Sequence, residues 1–149
     1  MVANIDPIYS RTADIQMAGA VVGTTANTAT DGTGAGNTSI FQADATEGSF
    51  VQKVILKPIS TIAATVVRIW YHSTTGAFTP GTTNTAANTT LLAELTIAAW
   101  TVSQLVASPQ YEIPLNLPMP PGTRLLISFG TSTGAGTTGF NPLVIAGKY

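Results

Sequence analysis

The sequence predicts an all-β fold: an antiparallel β-sandwich of about eight strands, jelly-roll-like, preceded by a short extended N-terminal arm. Three observations carry this. Apolar residues recur with a period of two through most of the chain, the spacing that puts strand side chains on one face. Stretches rich in Gly, Pro, Thr and Asn separate the periodic segments. Only 9% of the 149 residues are charged while 44% are hydrophobic, against roughly 25% charged in an average soluble domain. Threonine and asparagine fill the difference, and β-branched Thr suits a pleated surface where Lys and Glu would favour helix. The chain divides into an arm, residues 1–11, and a single sandwich domain, residues 12–149.

Each strand follows from its own pattern. "SFVQKVILKP" places Phe50, Val54 and Leu56 on one face, with Lys53 and Lys57 sharing the other with Val51 and Ile55. "ATVVRIWYH" sets Val67, Ile69 and Tyr71 against Val66, Arg68, Trp70 and His72. "LLAELTIA" sets Leu91, Leu95 and Ile97 against Leu92, Glu94 and Thr96. In "YEIPLNL" the residues Tyr111, Ile113, Leu115 and Leu117 alternate with Glu112, Pro114 and Asn116; Pro114 has no N–H to give a ladder, so this strand belongs at a sheet edge or carries a bulge. "RLLISFG" puts Leu125, Ile127 and Phe129 on one face, after a "PPGT" turn with Pro121 and Gly122 in type II order. Weaker strands are expected in 12–22, 37–43 and 140–146. Residues 98–108, "AAWTVSQLVAS", hold at most one short helical turn. Residues 23–38 and 73–90 are long, polar and turn-rich, the second an uncharged projecting loop.

Several function classes are disfavoured by what the chain lacks. The net charge is −1 and the six Lys and Arg residues form no run, so there is no electrostatic footprint for nucleic acid. There is no cysteine, which removes disulfides, thiolate nucleophiles and Cys-based zinc sites. The opening "MVANIDPIYSRTADIQ" has Asp6 and Pro7 early and no apolar core of signal-peptide length. Nowhere do about 18 apolar residues run together, so no membrane contact is expected.

Candidate chemistry was weighed residue by residue. "TDGTGAGNT" holds Gly32, Gly34 and Gly36 just before an apolar run. A dinucleotide cradle needs its third glycine one place later, where Asn37 stands, and a phosphate loop needs a Lys that this segment lacks. The following "NTSIFQA" offers no helix N-terminus to hold an anion, so the glycines read as turn residues. His72, the single histidine, reads as a surface residue at a strand end rather than a catalytic base. Asp44 and Glu47 flank a hairpin turn in "QADATEGS". No metal or cofactor is expected.

Contact residues are the better candidates. Trp70 shares a strand face with Arg68 and His72; it is either an outer contact residue beside Arg68 or packed beneath the 73–90 loop. Trp100 is either a core residue or a contact. The arm "NIDPIYSR" offers Pro7 to keep it extended, Ile8 and Tyr9 as apolar anchors and Arg11 as a charged one. It is either a tether or a disordered terminus.

The stretch "TDGTGAGNTSIFQADATEGSFVQKVILKPISTIAATVVRIWYH", then a Thr/Asn-rich loop and "LNLPMPPGTRLLISFGT", resembles a group of small tailed-bacteriophage virion proteins. The likeness runs from about Asp6 to Tyr149 and rests on turn and strand patterns. It implies a head decoration, or cement, protein. Such a protein is a β-sandwich or jelly-roll oligomer that binds the outer surface of the capsid and stabilises the shell. The resemblance implies the major capsid protein as partner, a homo-oligomer with trimer favoured over dimer, and a place on the virion after assembly in the host cytoplasm. The alternative is a tail- or fibre-associated binding module whose 23–38 and 73–90 loops recognise glycans. An enzyme is not expected.

Overall fold

The structure, a computed structural model, describes residues 11–18, 23–134 and 139–149. The described residues are all-β, with nine strands: β1 (Thr12–Ala13), β2 (Gln16–Met17), β3 (Thr38–Gln42), β4 (Ser49–Pro58), β5 (Thr65–His72), β6 (Thr89–Ile97), β7 (Tyr111–Met119), β8 (Arg124–Phe129) and β9 (Phe140–Lys148). They form two antiparallel sheets packed as a sandwich. One has the order β1-β9-β4-β7, with β2 also on β9; the other has the order β3-β8-β5-β6. Only β5 and β6 are neighbours both in sequence and in a sheet. Every other connection from β3 onward crosses between the layers.

The core lies between the sheets. Val51, Val54 and Leu56 from β4, Phe140 and Val144 from β9, Val67 and Ile69 from β5, and Leu125, Ile127 and Phe129 from β8 are all removed from water. Phe129 and Phe140 stack across the layers with ring centres 5.4 Å apart. Burying a branched aliphatic or aromatic side chain stabilises by about 1.5–3 kcal/mol each, and this set supplies the main favourable term.

Register shifts interrupt the alternation of β3 between Ser39 and Phe41, of β7 between Pro114 and Leu117, and of β4 and β6. In β4 the register against β9 shifts between Val51 and Lys53, so Val51 shares the inner face with Val54 and Leu56 while Phe50 is only half-buried. The alternation expected Phe50 inside; an extra residue in the ladder reverses the facing of everything before it. In β6 the register shifts between Ile69 and Trp70 of its neighbour β5. That aligns Leu91 with Trp70 on the outward side rather than with Leu95 and Ile97. β7 has Asn116 in left-handed backbone at φ 47, beside Pro114, and lies at the sheet edge as Pro114 requires.

The turns have their expected chemistry but not always their expected job. Gly122 sits at φ 74 after Pro121, as a type II turn needs. Asp44 organises its turn by accepting from the Thr46 N–H at 2.9 Å and the Glu47 N–H at 3.0 Å. That turn is not a hairpin, however. β3 and β4 belong to different sheets, so residues 43–48 form a corner between layers. Residues 98–110 contain no helix.

Replacing the fully buried Leu56 by Ala is expected to destabilise by about 2–5 kcal/mol in urea denaturation. Lys57→Ala, exposed on the next residue, should stay within about 0.5 kcal/mol. Equal effects at the two positions would contradict the facing of β4.

Candidate contact surfaces

The outer face of the four-stranded sheet is not open. Trp70 and His72 project from it, yet each is only 1% exposed, and Leu126 and Ser128 beside them are fully buried. Two loops cover that face. Residues 23–37 run alongside the end of β8, where the Asn27 N–H donates to the Phe129 carbonyl at 2.7 Å. Arg68, two residues before Trp70, donates from Nη1 to the Asn27 carbonyl at 3.1 Å. His72, two residues after it, meets the edge of Phe78 from the 73–88 loop with ring centres 5.5 Å apart. Trp70 lies between them and donates its indole N–H to Ser128 Oγ at 2.8 Å.

Buried asparagines lock the two loops together. Asn84 Nδ2 in the second loop donates to the carbonyls of Gly32 at 2.8 Å and Gly34 at 3.0 Å in the first. Asn37 Nδ2 donates to the same Gly32 carbonyl at 2.8 Å. Asn27 Nδ2 donates to the Thr33 carbonyl at 2.9 Å. Main-chain carbonyls turned inward by a tight loop need donors, and an amide supplies two. The glycines make this approach possible. Gly34 has φ 99, and a Cβ there would lie 2.5 Å from Asn27 Oδ1; Gly32 has φ 85, and a Cβ would lie 2.7 Å from Thr89 Cβ. The segment "DGTGAGN" is thus a turn-former, with Asp31 accepting from the Thr33 hydroxyl at 2.6 Å and its N–H at 3.1 Å. Those two bonds hold the Asp31 carboxyl below its ordinary pKa.

The sequence-derived contact residues are redistributed by this cover. Of the two readings open for Trp70, its 1% exposure agrees with the packed one. The side chain packs beneath the loops because its sheet face is apolar and had to be covered. Arg68 is not free either: its side chain is 12% exposed and its Nε bonds Glu94 Oε1 at 2.7 Å. His72 is not a surface histidine. Its Nδ1 lies 3.1 Å from Thr89 Oγ1, and burial first, then the Arg124 charge, lower its pKa. Its charged neighbour is a cation rather than the carboxylate that would orient a catalytic base. Among the described residues no group of three or more His, Cys, Asp or Glu could hold a metal. Pro7, Ile8 and Tyr9 lie outside the described residues.

Charge gathers at one end of the sandwich. Arg11 pairs with Glu47 and donates to the Tyr149 carbonyl at 3.0 Å. Lys148 Nζ meets Asp44 Oδ2 at 2.9 Å. The lysine, with the Glu47 and Thr46 N–H groups, holds the Asp44 carboxyl well below its usual range. Exposed pairs of this kind add little stability. Ser49, at this end of β4, donates to the buried Asp14 Oδ2 at 2.9 Å.

The opposite end of β4 carries exposed apolar side chains set among the polar Ser103, Gln104 and Ser108. Pro58, Ile59, Trp100, Val102, Leu105 and Val106 border an open groove of about 400 Å³. Leu105 is 96% exposed. The display is built, not frayed. Trp100 and Ile62 exchange main-chain hydrogen bonds at 2.9 and 3.1 Å. Ser103 Oγ accepts from the N–H groups of Leu105 and Val106 at 3.0 and 3.1 Å. Trp100, half-buried, forms the base of the groove. Leu105 and Val106 were not singled out from sequence, although the absence of any charge between Glu94 and Glu112 marked the segment. In comparisons with known proteins, no family model, curated protein or solved structure matches this chain.

Two outcomes are expected. Trp70→Phe leaves the buried Ser128 hydroxyl without its donor and should cost about 1–3 kcal/mol in denaturant unfolding. The unfolded chain binds more protons than the folded one near His72, so stability is complete above about pH 6.5 and falls as pH drops through the lowered folded value. His72→Gln should flatten that part of the profile, as read by urea midpoints from neutral pH to pH 5.

Proposed function

We propose that this chain is a bacteriophage capsid decoration protein that binds the outer surface of the head through the major capsid protein and stabilises the shell. The observation that carries the reading is the set of exposed apolar side chains, Val102, Leu105 and Val106, at the rim of the groove. A leucine held at 96% exposure on a hydrogen-bonded turn is surface prepared for a partner. Burying it would contribute about 1.5–3 kcal/mol per copy, and repetition over a lattice multiplies modest contacts. A protein that binds only the assembled lattice stabilises it by mass action.

Two further points support the reading. The sequence resemblance to tailed-phage virion proteins spans nearly the whole chain. The strand order also agrees, with the first strands beside the last and the chain passing between layers at nearly every turn. That pattern supports reading the sandwich as a double-sheet jelly roll, an architecture of viral capsid and lectin domains. The glycan-binding alternative draws no support from the loops on which it depended. The side-chain N–H donors of Asn27, Asn37, Asn84 and Asn88 are engaged within those loops.

The test is binding to heads stripped of the protein. Wild type should rebind in numbers that match the capsid lattice and restore resistance to heat. Leu105→Asp should fold normally and lose at least about tenfold in affinity, the equivalent of about 1.4 kcal/mol. A handful of copies per particle, or unchanged rebinding by Leu105→Asp, would overturn the proposal.

A further inference from the structure

A sheet edge is a row of unpaired main-chain donors and acceptors, and a stable monomer covers or interrupts it. Among the described residues, three of the four edges here are treated in that way. On β3, the Gln16 side chain stands in for a strand: its Oε1 accepts from the Gln42 N–H at 3.1 Å and its Nε2 donates to the Gln42 carbonyl at 2.9 Å. The β1–β2 edge consists of two strands of two residues each, parted by the buried Asp14. The β7 edge carries Pro114, Pro118 and the left-handed Asn116.

β6 is different. It is nine residues long, "TTLLAELTI", contains no proline or lysine, and pairs with β5 alone. Its one interruption is the bulge near Leu92, after which Ala93 to Ile97 pair in unbroken register with β5. The core beneath that stretch is incompletely closed, for Ala93 and Leu95 are packed against it yet only half-buried. Its single charge, Glu94, is already matched by Arg68 within the same molecule, so a partner need not supply a cation.

We propose that this edge pairs with the same edge of a second copy, antiparallel about Leu95, to give a two-fold dimer. The sequence is complementary to itself in that register. Leu95 lies opposite Leu95, Ala93 opposite Ile97, and Glu94 opposite Thr96, with each pair on one face as the pleat demands. The alternation also keeps the two Glu94 carboxylates from facing each other. An isologous contact closes on itself and leaves no free edge to propagate a filament. The four-stranded sheets become one eight-stranded sheet, and the half-buried inner residues of each copy gain cover from the other. Main-chain pairing of this kind is β-augmentation with a copy of the same chain as the added strand. A two-fold pair thereby replaces the trimer expected from sequence. The surface is separate from the Leu105 groove, so the dimer can form whether or not the chain binds capsids.

Sedimentation velocity of the full chain over a range of concentrations tests this with opposed variants at the exposed Thr96. Wild type should show a monomer–dimer equilibrium. Thr96→Glu places Glu94 against a second carboxylate twice per dimer and should weaken association about tenfold. Thr96→Lys places a cation there instead and should strengthen association in a salt-sensitive way. Should the glutamate variant fail to fold, the lysine variant decides alone. A wild type that stays monomeric throughout, a trimer, or association indifferent to both charges would overturn the proposal.

Discussion

Leu126, Ser128, Trp70 and His72 all point away from the core, and all are shut off from water. A sandwich normally leaves its outer faces wet and polar, which allows alternate residues to be hydrophilic. Here β8 is buried on both faces, with five of its six residues inaccessible. A sheet of that kind needs a third layer, and this chain makes one from loops. Much else follows from that need: the length of the 23–37 and 73–88 connections, the glycines that let them approach, and the buried asparagines that satisfy their turned-in carbonyls. The indole N–H of Trp70 is satisfied by Ser128 from the neighbouring strand, so the aromatic ring fills the layer without an orphaned donor.

The strands were legible because their signal is local. Tyr71 and Val67 on one side of β5, or Leu125 and Ile127 on one side of β8, follow from a two-residue repeat that no distant contact has to supply. The bulge in β4 was not legible, since an extra residue is defined only against the partner strand, and it moved Val51 inward and Phe50 outward. His72 was misplaced, and Trp70 left between two readings, for a related reason. Alternation gives which side of a sheet a residue takes, but not whether a second covering waits on that side. The "DGTGAGN" segment was read correctly as a turn, yet its partner Asn84 lies some fifty positions away, and nothing in the spacing announces it. The groove was hidden in an uncharged stretch whose period fitted neither strand nor helix.

Electrostatics plays a positional rather than a bulk role. With so few charges, most are committed to specific neighbours: Arg11 to Glu47, Lys53 to Glu112, Arg68 to Glu94, and Lys148 to Asp44. The pairs leave the groove end and the β6 edge without strong fields. The partners proposed for those two places would be held by shape, apolar area and main-chain hydrogen bonds, which salt weakens little compared with exposed ion pairs.

The adjacency of the first and last strands bears on how the molecule comes into being. Thr12 is registered against Lys148, and β4, the middle of its sheet, lies directly beside β9. None of the three partners of β9, which are β1, β2 and β4, can close its ladder until β9 is synthesised. A nascent chain therefore carries β4 with both sides unpaired until β7 is made, and with one side unpaired until β9 follows. Topologies built from such distant pairings fold slowly, because loop closure is unfavourable until the late contacts form. The chain is thus most open to mispairing just before β9 emerges.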